Sequence, residues 1–200
     1  MGRDADTRHG GGDRTAAGDG GTLPLPPGTW TLDHHHSSVG FEIRHLGISK
    51  VRGRFGEVDA TLVVGRTLDD CSVTATVALG SVDTGNADRD AHVRAPDMLD
   101  VERRPEMTFR SSRLRGAGAE WAMDGTLTIG EVSREVSFTA EFGGLVDSVL
   151  DDRRHCGFEA RGEIRRSDFG LGFGAGDALL GDVVKVQLDV QFVEPEAPGA

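Results

Sequence analysis

The chain has 200 residues, of which 33 are acidic and 22 basic, for a formal net charge of −11. This length accommodates one domain and a tail. A negative long-range field repels polyanions, which argues against nucleic acid and anionic membrane surfaces as partners.

Residues 1–28 hold no apolar run able to serve as a signal-peptide core or a transmembrane helix, so the expectation is a cytoplasmic protein. The stretch is rich in Gly, Asp and Arg and ends in Pro24, Pro26 and Pro27. Too little of it can be buried to offset its ordering entropy, and it reads as a flexible tail that folding does not need. One folded unit is expected over residues 29–194, with 195–200 a flexible C-terminus.

From Trp30 onward apolar residues recur at every second position, the period of a strand with one face on a core. His34 and His36 share a parity that places them on one face of a strand, where they can chelate a metal. Gly28, five intervening residues, His34-x-His36 and then Glu42 partly resemble the metal motif of cupins, but the glutamate is displaced and no PxG-x-x-His companion follows. A third histidine ligand has to come from His92 or His155, because His45 has the opposite parity. These residues carry the alternative reading, a metal-dependent cupin-like barrel enzyme. The simpler reading is a polar strand end.

Val39, Phe41 and Ile43 open the regular alternation, which continues over residues 58–64 and 71–79. Residues 81–105 break it with charges and turn formers, and Asn86 suits the N-cap of a short helix that ends before Pro96. Alternation returns over 107–109, 121–129, 132–142, 156–164 and 184–192. About eight strands without a long helical period predict an all-β fold, a single closed antiparallel barrel whose interior suits side chains or one small ligand. Cys71 and Cys156 show no metal-type spacing and fall on apolar strand positions, so they read as buried free thiols. Between the last two strands, Phe169, Leu171 and Phe173 interleave with glycines, and the two phenylalanines can cover the barrel opening or pack on its rim.

Together these motifs resemble the YceI-like family, whose members are lipocalin-like barrels associated with polyisoprenoid binding. The resemblance begins at Trp30-Thr31-Leu32-Asp33 and runs through His36-Ser37, Phe41, His45-Leu46 and Val51-Arg52-Gly53-Arg54-Phe55. It continues with Ser81-Val82-Asp83-Thr84-Gly85, Arg89-Asp90-Ala91-His92-Val93 and Pro105-Glu106-Met107-Thr108-Phe109. Gly125-Thr126-Leu127-Thr128-Ile129, Arg166-Ser167-Asp168-Phe169-Gly170 and Gly181-Asp182 complete it. The chain departs from the pattern at the hairpin after Thr128-Ile129, where Glu131 and Glu135 replace the usual Gly and Pro and Gly130 stands one position early.

The resemblance implies a long isoprenoid chain along the barrel interior, a polyprenyl phosphate or a quinone-like lipid. An apolar lining with a few polar groups at the mouth is what such a ligand requires. Phe41, Phe109, Trp121, Phe138 and Phe158 are the candidate lining residues, although for each one taken singly plain core packing is the favoured role. His45, Arg89, His92 and Arg166, with Phe169 of the glycine loop, are the candidates for the mouth, arginine being suited to bidentate phosphate contact. Asp90 and Arg94 lie beside them, and a structural Arg89–Asp90 pairing is the competing role. No nucleophile elbow, phosphate loop, HExxH or dinucleotide fingerprint occurs, so a non-catalytic protein without a cofactor is expected. A homodimer is expected by family analogy.

Overall fold

The computed structural model describes residues 21–149, 151–172 and 174–195. Eleven strands run in chain order: β1 (Gly28–Leu32), β2 (Ser38–His45), β3 (Ser49–Phe55), β4 (Val58–Val64), β5 (Ser72–Ala78), β6 (Val82–Asp83), β7 (Glu106–Ala117), β8 (Glu120–Ile129), β9 (Val132–Asp147), β10 (Arg154–Arg165) and β11 (Leu180–Val193). A single α-helix among the described residues, α1 (Ala87–Arg94), lies between β6 and β7. Asn86 caps it, its side chain accepting from the Arg89 amide at 2.9 Å. The expected helix and its cap are both present.

Among the described residues eight strands, β1, β4, β5 and β7 to β11, close an antiparallel ring, and β2, β3 and β6 extend the wall from β11. The ring closes where Thr31 and Leu32 of β1 face Val193 and Phe192 of β11. Strand β2, expected from alternation as one of the eight, instead pairs along the other stretch of β11, from His45 opposite Leu180 to Ser38 opposite Asp189. Strands β1, β3 and β6 come in addition to those that alternation predicts. The hairpin between β8 and β9 forms in spite of its departure from the family pattern. Ile129 faces Val132, and Gly130 takes φ 60° at the first of two turn positions, where a two-residue hairpin turn accepts glycine.

Residues 21–28 do not behave as the flexible tail expected of them. Leu23 and Leu25 are buried and join Trp30, Leu62 and Trp121 in one core cluster, and the Trp30 indole donates to the Pro26 carbonyl at 3.1 Å. The prolines hold φ near one value, so little entropy is lost when Leu23 and Leu25, two residues apart, turn the same way into the barrel end. Residues 1–20 and 196–200 lie outside the described residues, as does Phe173 of the glycine loop.

A second cluster, Leu79, Leu127, Ile129, Phe169 and Leu171, packs at the other end of the barrel. Cys71 and Cys156 are buried free thiols.

Candidate ligand-binding cavity

Alternation sends every second side chain of each strand inward, and the inward positions are unevenly filled. Ala60, Ala75, Ala140 and Ala160 leave much of the wall low. Three phenylalanines lie against glycines instead of projecting across the lumen. A Cβ on Gly53 would stand 2.4 Å from the Phe41 ring, one on Gly125 2.4 Å from Phe109, and one on Gly162 2.6 Å from Phe138. Phe41 faces Gly53 and Phe138 faces Gly162 directly across the strand pairs. An aromatic ring laid over a glycine is a recognised cross-strand pairing, and here it keeps the rings along the wall.

The space left is a cavity of about 760 Å³, in the size range of small-molecule sites. Its lining is apolar except for His45, Thr84, Arg89, His92, Asp97 and Arg166. These six gather at one end: His45 closes β2 opposite Leu180, Arg166 follows β10 at the start of the connection to β11, and Thr84, Arg89, His92 and Asp97 lie on or beside α1.

Nine of the ten residues singled out in the sequence line this cavity: Phe41, His45, Arg89, His92, Phe109, Trp121, Phe138, Phe158 and Arg166. Phe169 does not. It is 1% exposed and packs in the second core cluster, so the glycine loop tucks its aromatic under the rim. The αL conformation of Gly170, with φ 67°, turns the chain back immediately after it.

Arg166 lines the cavity but does not act as the head-group donor expected. Nε donates to the Gly181 carbonyl at 3.0 Å, Nη1 to the Leu171 carbonyl at 2.8 Å and to Asp177 Oδ1 at 2.5 Å. Nη2 donates to the carbonyls of Asp177 and Leu180 at 3.2 and 3.3 Å. All five N–H groups of the guanidinium are directed at the β10–β11 connection and the first two residues of β11. Arg166 therefore anchors the β10–β11 connection.

Helix α1 is pinned in the same manner. Asp90 Oδ1 accepts from the Thr84 hydroxyl at 2.6 Å and from the Thr84 amide at 2.8 Å. The Thr84 hydroxyl, ahead of the opposing effect of burial and the help of the Thr84 amide, holds the Asp90 carboxyl below the usual carboxylate range. Arg89 Nε and Nη2 donate to the Thr84 hydroxyl and carbonyl at 2.7 and 2.8 Å. Arg94 reaches the carbonyls of Gly80 and Val82 at 2.7 and 2.6 Å. Arg89 and Asp90 thus meet through Thr84 and fix the helix over the opening. The unused face of Arg89 and the ring of His92, 3.4 Å from Asp97, remain at the rim.

The histidine run falls elsewhere. His34, His35 and His36 lie in the exposed turn between β1 and β2, at the barrel end opposite the polar rim, and not on a strand face. Asp33 turns the chain there by accepting from the His35 amide at 2.9 Å and pairing with His36 Nδ1 at 2.8 Å. The parity on which the cupin-like alternative rested does not apply in a turn.

The sequence pattern of the YceI-like domain matches residues 30–192. The chain belongs to the YceI-like family. A UPF0312 protein of Staphylococcus epidermidis is 32% identical over 168 residues, 82% of this chain and 96% of its own length. Protein YceI of Salmonella arizonae is 35% identical over 137 residues, 68% of this chain and 71% of its own. Among solved structures, the Campylobacter jejuni YceI protein superposes with a TM-score of 0.68 at 33% identity, covering 83% of this chain and 98% of its own. A structure described as a polyisoprenoid-binding domain from Saccharophagus degradans shares the fold, with a TM-score of 0.63 at 16% identity over 83% of this chain and 98% of its own.

Two features of this YceI-like cavity escape a reading of alternation alone. Thr84, the hinge of the rim network, is a short polar residue in a motif. Leu23 lines the cavity from the proline-rich segment. The signal for Leu23 is its spacing from Leu25, the same period of two that marks the strands.

Proposed function

We propose that this YceI-like barrel binds an isoprenoid amphiphile, its tail in the cavity and its polar head at the rim beside Arg89, His92 and His45, and that it acts by holding the lipid without transforming it. The observation that carries this reading is the distribution of polarity: an apolar lumen of about 760 Å³ whose polar side chains stand at one end. A branched hydrocarbon gains about 25 cal/mol per Å² of surface withdrawn from water and leaves no buried polar group unpaired in such a lumen. At roughly 30 Å³ per water-sized group, the volume admits on the order of 25 heavy atoms, or four to five isoprene units. A longer tail extends through the mouth. The polyisoprenoid-binding description of the Saccharophagus degradans domain supports the same class of ligand.

Titration with a prenyl lipid of four to five units tests it, comparing Ala75→Phe and Ala160→Phe with Arg89→Ala. Filling the lumen is expected to weaken binding more than removing a rim charge, because the tail is fully desolvated and the head partly hydrated. Unfolding midpoints are measured first, since overpacking also strains a core. Folded lumen-filling variants that bind as well as the parent would place the lipid outside the barrel.

A further inference from the structure

The hairpin between β2 and β3 borders the cavity mouth and carries an apolar tip that folding does not explain. Leu46 is 51% exposed, Ile48 83% and, on the neighbouring connection, Leu179 47%. The Leu46 amide donates to the Leu179 carbonyl at 2.7 Å and the Ile48 amide to the His45 carbonyl at 3.2 Å, so the hairpin tip and the neighbouring connection bring these exposed apolar residues close together in one surface region. His45, Leu179 and Leu180 line the cavity, which makes the patch continuous with its rim. Leu46 and Gly47 have φ of 53° and 71°, two successive left-handed positions of the kind that favour Asn-Gly. A leucine suits neither that backbone nor that exposure. Residues kept in a disfavoured conformation while exposing apolar surface mark a place of contact.

The charge around the patch selects the partner. Between Glu42 and Glu57 there is no acidic residue, while Arg44, Lys50, Arg52 and Arg54 fall there. Glu42 is shared by Lys50 and Arg52, at 2.6 and 2.9 Å, Arg54 pairs with Asp83 at 3.3 Å, and Arg44 has no carboxylate partner among the described residues. Asp177 on the adjoining connection and Asp182 at the start of β11 are already paired with Arg166 and Arg165. The hairpin stays net positive on a chain of charge −11. At physiological ionic strength charges are screened over about 8 Å, so this local sign governs close approach whatever the whole-chain charge. Apolar side chains flanked by cations are the composition of an interfacial membrane anchor.

We propose that the β2–β3 hairpin, together with Leu179, docks the cavity mouth on an anionic lipid bilayer. The tip enters the interface, and Arg44 and Lys50 meet acidic headgroups. On this face the partner is the anionic surface that the whole-chain charge argues against. The docking stands on the surface chemistry and does not require the cavity to hold an isoprenoid.

Co-sedimentation of the full chain with vesicles tests it, using phosphatidylcholine alone and an equal mixture with phosphatidylglycerol. The parent is expected to partition onto the mixed vesicles, less so as salt is raised. Leu46→Asn with Ile48→Ser should reduce partitioning by about tenfold or more, and Arg44→Gln by about fivefold. Asparagine fits the left-handed turn position, so the double variant keeps the fold, which its unfolding midpoint and its prenyl-lipid titration without vesicles both report. Failure of that titration bears on the cavity and not on docking. Equal partitioning of parent and double variant, absence of the parent from the mixed vesicles, or a dimer lost with the same substitutions would each overturn the proposal, the last by assigning the patch to a second copy of the chain.

Discussion

At the residue scale the lumen is a product of glycine positions. Gly53, Gly125 and Gly162 receive the rings of Phe41, Phe109 and Phe138, and a methyl group there would push each ring off the wall. Gly162→Ala is expected to cost about 1–3 kcal/mol, as overpacked sites do, and to lower prenyl-lipid affinity as Phe138 moves into the lumen. Chemical denaturation and titration of the same variant check both. Cys156 shows the opposite side of tight packing. Burial pushes its thiol up to about 12, far above an ordinary cysteine, so it stays protonated and unreactive at neutral pH. Thiol-reactive reagents are expected to label Cys156 only after unfolding, and rapid labelling of the native chain would contradict its burial.

At the scale of elements, α1 is too short and too polar to hold itself over the mouth. Its eight residues bury only Asp90, and isolated helices of that length are marginal in water. The helix is held by Asp90, Arg89 and Arg94 reaching back to the chain around β6. Because the Asp90 carboxyl lies below the usual carboxylate range in the fold, it contributes stability that is present above that range and lost as the pH falls through its lowered value. Acid should therefore loosen α1 below about pH 4. Amide exchange of residues 87–94 reports this directly. In Asp90→Asn exchange should be faster at neutral pH and flatter through the acid range, and an unchanged acid profile would remove the carboxylate from its role as anchor.

For the whole molecule, the proline-rich segment is part of the barrel. Leu23 and Leu25 are 5% and 8% exposed, and burying each contributes about 1.5–3 kcal/mol. Beginning the chain at Gly28 is expected to lower the unfolding midpoint on the order of ten degrees relative to a chain beginning at Gly21. Equal midpoints would return residues 21–27 to the tail.

Much of this was legible in the sequence because a β-barrel writes itself locally. Period-two alternation located the walls, Asn86 located the start of α1, and the ordered motifs located the family. Leu23 and Leu25 escaped because three prolines and glycine-rich neighbours resemble an unfolded segment by composition, although their spacing matches the strands. Phe169 was misplaced because an aromatic among glycines suits a lid as well as a buried plug, and only the left-handed turn at Gly170 decides between them. Parity in the sequence puts His34 and His36 on one strand face, but Asp33 makes a turn there in space. Arg166 and Arg89 differ for the same kind of reason: residue type allowed both to bind a head group, but four carbonyls and the Asp177 carboxylate brought together from residues 171–181 use every donor of Arg166, while part of Arg89 stays at the rim. Composition and period are properties of neighbours along the chain and settle which strands form and which faces are apolar. The ring over each glycine, the emptiness of the lumen and the partners of each cation depend on residues far apart in sequence, so only the closure of the barrel decided them.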